Sequence, residues 1–222
     1  VDDTILKKLN LKIKKPNLND WKRVVKAKLL PEKEVNVSFV GKYTELKDSY
    51  KSINEALEHA GIQNKAKVNI NFVEAEQITS QNVRKVLKKS DAILVPGGFG
   101  ERGIEGMILA CKYARENNVP YLGICLGMQI AIIEYARNVL KLKSANSTEF
   151  DSSTKFPVIG LITEWSDISG KKEKRTKNSD LGGTMRLGGQ VCKLKKKSNS
   201  YKMYKKSEII ERHRHRYEVN PN

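Results

Sequence analysis

A short cysteine motif constrains the fold of this chain more than any other segment does. Residues 123–127 read Gly-Ile-Cys-Leu-Gly, so Cys125 stands between two glycines at two-residue spacing. An apolar run over 119–122 precedes the motif, and apolar residues at helical spacing follow it. Glycines at this spacing suit a sharp turn from a strand into a helix, because side chains at both positions would collide. The motif therefore predicts a strand–turn–helix unit with a thiol at the turn.

A second glycine cluster supports a reactive role for this thiol. The apolar strand predicted over 92–95 runs into Gly-Gly-Phe-Gly at 97–100. Neighbouring parallel strands end at one edge of a sheet, where glycines let backbone N–H groups approach a ligand. A helix N-terminus also favours a thiolate and a developing oxyanion. We expect Cys125 to be a nucleophile, with oxyanion donors from Leu126 and the glycine cluster; a buried cysteine beside a plain turn is the alternative.

Length and cysteine content narrow the class of protein. A chain of 222 residues holds one good-sized core, or one domain with an appendage. It contains no apolar run of membrane-spanning length and no signal-peptide pattern. The three cysteines form neither a disulfide framework nor a metal-ligand pair, which favours the reducing cytoplasm. Cys111 and Cys192 are expected to be packing residues, and because residue 1 is Val we expect a longer native protein.

The strongly basic composition raises a nucleic-acid hypothesis. The formal net charge is +17, from 42 lysines and arginines against 25 acidic residues. These lysines are spread along predicted helix faces and loops, and no aromatic-interleaved or helix–turn–helix pattern organises them. We therefore expect no nucleic-acid partner and no membrane partner. Strongly salt-dependent binding to DNA or RNA would support the alternative.

From Val35 onwards the hydrophobic pattern alternates between strands and helices. Residues 1–34 contain a short amphipathic helix, over 17–30, and are expected to be a linker without a core. Such alternation predicts an α/β fold, a three-layer, flavodoxin-like sandwich around a mainly parallel sheet. Strands are predicted over 35–40, 68–73, 92–95, 121–124 and 156–162. Helices are predicted over 49–59 with a stop at Gly61, over 81–88 with Thr79 or Ser80 as N-cap, over 104–116, and directly after the cysteine turn. A basic loop over 166–180 and short antiparallel pieces over 181–188 complete the prediction.

Several motifs together resemble a known family. The segments 97–100 and 123–129 resemble the class I, triad-type glutamine amidotransferases. Four further segments are similar to the CTP synthase family: 40–43, 146–150, 182–188 and 212–220. The resemblance implies that 1–34 is a linker from an amidoligase domain. It also implies that 35–222 is a type 1 glutamine amidotransferase domain whose C-terminal part is missing.

The resemblance further implies an activity and its residues. The family hydrolyses L-glutamine through a cysteine thioester and passes ammonia to an amidoligase domain, which uses ATP and Mg²⁺ to aminate UTP to CTP. GTP activates the full enzyme, which is a cytoplasmic homotetramer, and no metal or cofactor is implied for this chain itself. Cys125 is then the nucleophile, and Gly98 and Leu126 form the oxyanion hole. The glutamine pocket comprises Gly98, Phe99, Leu126, Gln129, Glu149 and Arg216. Arg216 suits the substrate α-carboxylate, and Glu149 suits its α-ammonium.

One departure from the family bears on activity. The family takes its general base from a His-Pro-Glu motif, which residues 1–222 do not contain. The chain has three histidines, and His215, three residues before Glu218, is a weaker alternative base. We therefore expect poor activity from this chain alone. Two alternatives stay open: a non-catalytic, triad-deficient binding module, and the stress-protein and intracellular-peptidase branch of the same fold, which lacks the Glu149 and Arg216 clamps.

Overall fold

A four-stranded parallel sheet forms the centre of the computed structural model, which describes residues 2–11, 17–45, 47–162, 164–166, 172–174 and 186–220. The helices are α1 (Asp2–Lys8), α2 (Asn19–Leu29), α3 (Lys51–Gln63), α4 (Val83–Leu87), α5 (Ile104–Glu116), α6 (Leu126–Asn138) and α7 (Asn199–Tyr204). The strands are β1 (Lys33–Gly41), β2 (Ala66–Glu74), β3 (Ala92–Val95), β4 (Tyr121–Gly123), β5 (Ala145–Ser147), β6 (Phe156–Leu161), β7 (Glu164–Ser166), β8 (Lys172–Lys174), β9 (Arg186–Lys193), β10 (Glu208–His215) and β11 (Tyr217–Val219).

The strand order of the central sheet is β2-β1-β3-β4, which confirms the predicted mainly parallel α/β fold. Strand β3 pairs in parallel with β1 on one side, where Leu94 lies opposite Phe39. On its other side it pairs in parallel with β4, where Val95 lies opposite Gly123. Strand β3 is apolar throughout because helices cover both faces of such a sheet. The register places the ends of β3 and β4, and therefore both glycine motifs, at the same edge.

Helices α5 and α6 supply most of the core around this sheet. Met107 of α5 and Ile130 and Ile133 of α6 are almost completely buried. Burying each such side chain contributes roughly 1.5–3 kcal/mol. Helix α5 has the bounds that its 3.6-residue periodicity predicts. Among the described residues, no helix has both the length and the apolar character needed to cross a bilayer.

Smaller sheets follow the central one along the chain. Strand β6 pairs in parallel with β5 and antiparallel with β11, and β9 and β10 form an antiparallel ribbon. The start of this ribbon, from Arg186, confirms part of the predicted antiparallel region; residues 181–185 lie outside the described residues. The prediction of a loop over 166–180 is wrong at 166 and at 172–174, because Ser166 ends β7 and β8 pairs with that strand. The other positions of that loop, 167–171 and 175–180, also lie outside the described residues.

Two further predictions need correction. Helix α3 does not stop at Gly61 but continues to Gln63. Gly61 is instead required for packing, because a Cβ there would lie 2.5 Å from the carbonyl oxygen of Ala66. Helix α4 is shorter than predicted, and neither Thr79 nor Ser80 caps it. Its N-cap is Asn82, whose side chain accepts a hydrogen bond from the Thr79 N–H instead.

The chain divides into two compact units, residues 1–36 with 46–70 and residues 37–45 with 71–222. In the first unit, α2 has no buried residue, and its Trp21 is 68% exposed. Ion pairs join Lys28 to Glu58 and Lys65 to Glu32 in this unit. These surface pairs each contribute little to stability. The second unit contains the core described above and both glycine motifs.

Candidate active site

Cys125 occupies a strained turn between β4 and α6. It is the N-cap of α6, and its φ of 53° with ψ of −103° is unusual for a residue with a side chain. Such backbone strain costs of order 1–3 kcal/mol. A Cβ on Gly123 would lie 2.3 Å from the carbonyl carbon of Gly127, and a Cβ on Gly127 would lie 2.1 Å from the carbonyl oxygen of Val95. Both glycines of the motif therefore stand where no side chain fits.

The Cys125 thiol lies beside the glycine loop. It is half-buried, and a Cβ on Gly97 would lie 3.9 Å from its sulfur. Burial raises the pKa of the Cys125 thiol, and the negative charge of Glu149 raises it further. The backbone N–H groups of Leu126 and Gly98 act on this pKa in the opposite sense by stabilising the thiolate. The arrangement can therefore bind negative charge at a group attached to the sulfur.

The glycine loop over 97–100 is held from two sides. Lys42, which directly follows β1, donates from Nζ to the carbonyl oxygens of Phe99 at 2.9 Å and Gly100 at 2.6 Å. The Gly100 N–H donates to Oε1 of Glu149 at 2.8 Å. Lys42 is not among the predicted site residues. Its signal is its place at the end of a strand that runs parallel to β3.

The remaining pocket residues approach through α6 and β11. Gln129 is buried and donates from Nε2 to the carbonyl oxygen of Tyr217 at 3.0 Å, which joins α6 to β11. The carbonyl of Arg216 accepts a hydrogen bond from the N–H of Ile162. Nε of Arg216 is buried and has no hydrogen-bond partner in the described part of the chain. The Phe99 side chain is half exposed. The glycine loop thus joins these residues, because Gly98 lies against Leu126 and Gly100 bonds to Glu149. Gln129 bonds to Tyr217, the residue after Arg216.

The two C-terminal histidines line one small cavity together. The rings of His213 and His215 pack edge to face with centroids 5.1 Å apart. With Met128, Glu218 and two further residues of β11 they line a cavity of about 180 Å³. Burial lowers the pKa of His215, and Glu218 pairs with Arg186. Among the described residues, no histidine contributes to the pKa shift of the Cys125 thiol.

The other two cysteines lie in different surroundings. Cys111 is buried in the core on α5, and burial raises the pKa of its thiol to about 12. This confirms the prediction that it is a packing residue. Cys192 is half-buried on β9, where its sulfur contacts the carbonyl oxygen of Gln190 at 3.6 Å. Of the three thiols, Cys125 is the one whose thiolate the backbone N–H groups of Leu126 and Gly98 favour.

Comparison with known proteins places this geometry in a family. The family model for class-I glutamine amidotransferases matches residues 45–222. A solved structure, the glutaminase domain of Trypanosoma brucei CTPS with bound acivicin, is 40% identical in sequence. Its superposition with this chain has a TM-score of 0.72 and covers 84% of this chain and 68% of the trypanosomal chain.

Proposed function

Because the chain belongs to the class-I glutamine amidotransferases, we propose that it hydrolyses L-glutamine through a thioester on Cys125, as the glutaminase part of a CTP synthase. The observation that carries this proposal is the position of the Cys125 thiol beside the glycine loop, where a Cβ on Gly97 would lie 3.9 Å from the sulfur and the N–H groups of Leu126 and Gly98 favour the thiolate. The thiolate attacks the side-chain amide carbon, and the carbonyl oxygen becomes an oxyanion between these donors. Cleavage of the C–N bond releases ammonia, and water then converts the thioester to glutamate.

The substrate backbone groups have partners of suitable charge. We assign the α-carboxylate to Arg216, whose buried Nε lacks a partner within the described residues and whose guanidinium can bind a carboxylate in a bidentate manner. We assign the α-ammonium to Glu149 and the rest of the pocket to Phe99 and Gln129. The charge of Glu149 raises the pKa of the Cys125 thiol in the free protein. A bound ammonium would offset that charge and so favour the thiolate once substrate is present.

The wider activity follows from the same proposal. Ammonia from this site would pass to an amidoligase domain, where ATP with Mg²⁺ activates UTP for amination to CTP in pyrimidine nucleotide biosynthesis. GTP would activate hydrolysis, and the full enzyme would be a cytoplasmic homotetramer. The family's His-Pro-Glu base does not occur in residues 1–222. We therefore propose that this chain alone turns over glutamine on the order of 10²–10⁴-fold more slowly than the family does with its base.

Labelling with acivicin, the compound bound to the trypanosomal domain, tests the site. We expect mass spectrometry to find the adduct on Cys125 and not on Cys111 or Cys192. L-Glutamine should protect Cys125, whereas D-glutamine should not. Arg216→Met should lose protection by L-glutamine while its Cys125 still reacts with iodoacetamide, because the thiol and its N–H donors remain. Equal labelling of all three cysteines would contradict the proposal.

Measuring ammonia release from the unmodified chain tests the proposed slow turnover. Cys125→Ser provides the background rate. Near-normal release that Cys125→Ser abolishes would mean that the general base lies within residues 1–222. His215→Gln would then show whether that residue is the base.

A further inference from the structure

We propose that Lys42 is a positioning residue for the oxyanion-binding loop, residues 97–100, and that it fixes the two peptide groups that follow Phe99 and Gly100, shortly after the Gly98 donor. The inference rests on the proposed glutamine chemistry but assigns a role to a residue outside the substrate pocket. It follows from the contacts of one buried ammonium group.

The Lys42 side chain is buried although lysine is a residue type that folding usually leaves exposed. Lys42 is 5% exposed, and its Nζ donates to two carbonyl oxygens of the loop, those of Phe99 and Gly100. An ammonium group is costly to bury unless such partners compensate its lost hydration. Burial lowers the pKa of Lys42, and the nearby Glu149 carboxylate acts in the opposite sense. A hydrophobic residue would fill this space at lower cost, so the charge itself needs an explanation.

Peptide geometry connects Lys42 to the orientation of the loop. In a trans peptide the carbonyl and the N–H point in opposite directions. The carbonyl of Phe99 points to Lys42, so the N–H of Gly100 in the same peptide points away from it, and it donates to Glu149 at 2.8 Å. The Lys42 ammonium therefore binds the carbonyl of the peptide between Phe99 and Gly100, and the Glu149 carboxylate binds its N–H.

The loop needs such support because its own sequence leaves it free to move. Three of its four residues are glycines, which have more accessible backbone conformations than other residues, and Gly100 has a φ of +76°. One peptide group separates the N–H of Gly98, which favours the thiolate of Cys125, from the first peptide that Lys42 holds. Fixing Phe99 and Gly100 therefore limits the directions in which the Gly98 N–H can point.

A positioning role predicts a specific kinetic pattern. The Gly98 donor matters most when negative charge develops on the substrate carbonyl oxygen and less when neutral glutamine is bound. Loss of Lys42 should therefore slow the reaction of Cys125 with a reagent that has a carbonyl at the cleavage position. It should change the dissociation constant of glutamine much less. A merely structural role would instead reduce all properties of the site together.

The test compares three measurements on Lys42→Met and Lys42→Gln. The first is the inactivation rate by a chloroketone analogue of glutamine, in which the Cys125 sulfur forms a C–S bond, the C–Cl bond breaks and chloride leaves. The second is the dissociation constant of L-glutamine, from its protection of Cys125. The third is the reaction of Cys125 with methyl methanethiosulfonate, which forms a disulfide, releases methanesulfinate and involves no carbonyl. Lys89→Met, at an exposed lysine, is the matched control.

We expect both Lys42 variants to lower chloroketone inactivation roughly 10- to 100-fold, somewhat less than the loss of a whole oxyanion donor. Glutamine binding and the thiosulfonate reaction should each change less than about threefold, since neither creates an oxyanion at the loop. Thermal unfolding identifies any variant that fails to fold. If Lys42→Met fails, the three measurements on the polar variant Lys42→Gln decide the result.

Two other outcomes are informative. Equal loss in all three measurements, or no change in any, would overturn the inference while leaving the glutaminase proposal intact. Absence of glutamine protection in the unmodified chain would overturn the proposed function and this inference with it.

Discussion

The close approach of α6 to the central sheet makes Gly127 a stringent test of the turn geometry. In Gly127→Ala the new Cβ would lie 2.1 Å from the carbonyl oxygen of Val95, about 0.9 Å inside the 3.0 Å that real Cβ contacts respect. The obstacle is the backbone of Val95, a fully buried residue, so it cannot rotate away as a side chain could. Overpacking of this kind costs typically about 1–3 kcal/mol, and we take the upper value because the backbone must move.

Helix propensity offsets part of that cost, since alanine is favoured over glycine in a helix by up to about 1 kcal/mol. The net loss in the free energy of unfolding is therefore about 2 kcal/mol, which corresponds to a fall in Tm of about 4–8 °C for a chain of this size. Calorimetry or thermal circular dichroism measures it, and the rate of Cys125 alkylation should fall because α6 must shift.

Gly160→Ala is the matched control. No heavy atom lies within 4 Å of the position of its added Cβ, so this variant should have the same stability as the unmodified protein or a slightly higher one. If Gly127→Ala were as stable as Gly160→Ala, the tight packing of the turn against β3 would be wrong.

Three further changes have defined outcomes. Glu149→Gln removes a negative charge that raises the pKa of the Cys125 thiol, so the pH profile of iodoacetamide alkylation should shift to lower pH. Protection of Cys125 by glutamine should be lost as well. An unchanged pH profile would contradict the electrostatic argument. Arg115→Met leaves the buried Glu134 carboxylate without the partner that donates to both of its oxygens. The free energy of unfolding should therefore fall by about 3 kcal/mol. Adding Glu134→Leu to the same chain should restore most of that lost stability. Cys111, buried and with its pKa raised to about 12, should stay unmodified at mildly alkaline pH in the folded protein and react after denaturation; reaction in the folded protein would mean that the core opens locally.

The features that sequence could predict here depend on neighbours along the chain. The strand–turn–helix around Cys125 follows from glycine spacing, because the collisions involve residues 123 and 127 and the strand alongside. The bounds of α5 follow from a regular apolar face on one helix. Both signals lie within a short window, where steric and periodicity arguments are strongest.

The features that sequence could not predict depend on residues distant in the chain. The sequence predicts a helix stop at Gly61 because glycine signals both helix ends and close packing, and the choice between them depends on Ala66 across the turn. The sequence predicts only part of the ribbon of β9 and β10. Val191 and Ile210 lie on the exposed face of the ribbon, so the alternation of apolar and polar residues that marks a strand is weak there. Lys42 is 57 residues from the Phe99 carbonyl to which it donates. Its place at the end of a parallel strand indicates the correct edge of the sheet, but the contact itself depends on a residue distant in the chain.

The positive φ of Cys125 has a consequence for how this chain would evolve. Every residue with a side chain at position 125 bears the same unfavourable backbone torsion, of order 1–3 kcal/mol, whereas glycine would not. Stability alone would therefore favour glycine at this point in a lineage released from selection for thiol chemistry. That this chain retains cysteine there, against the preference of its own backbone, is the pattern expected when function opposes stability.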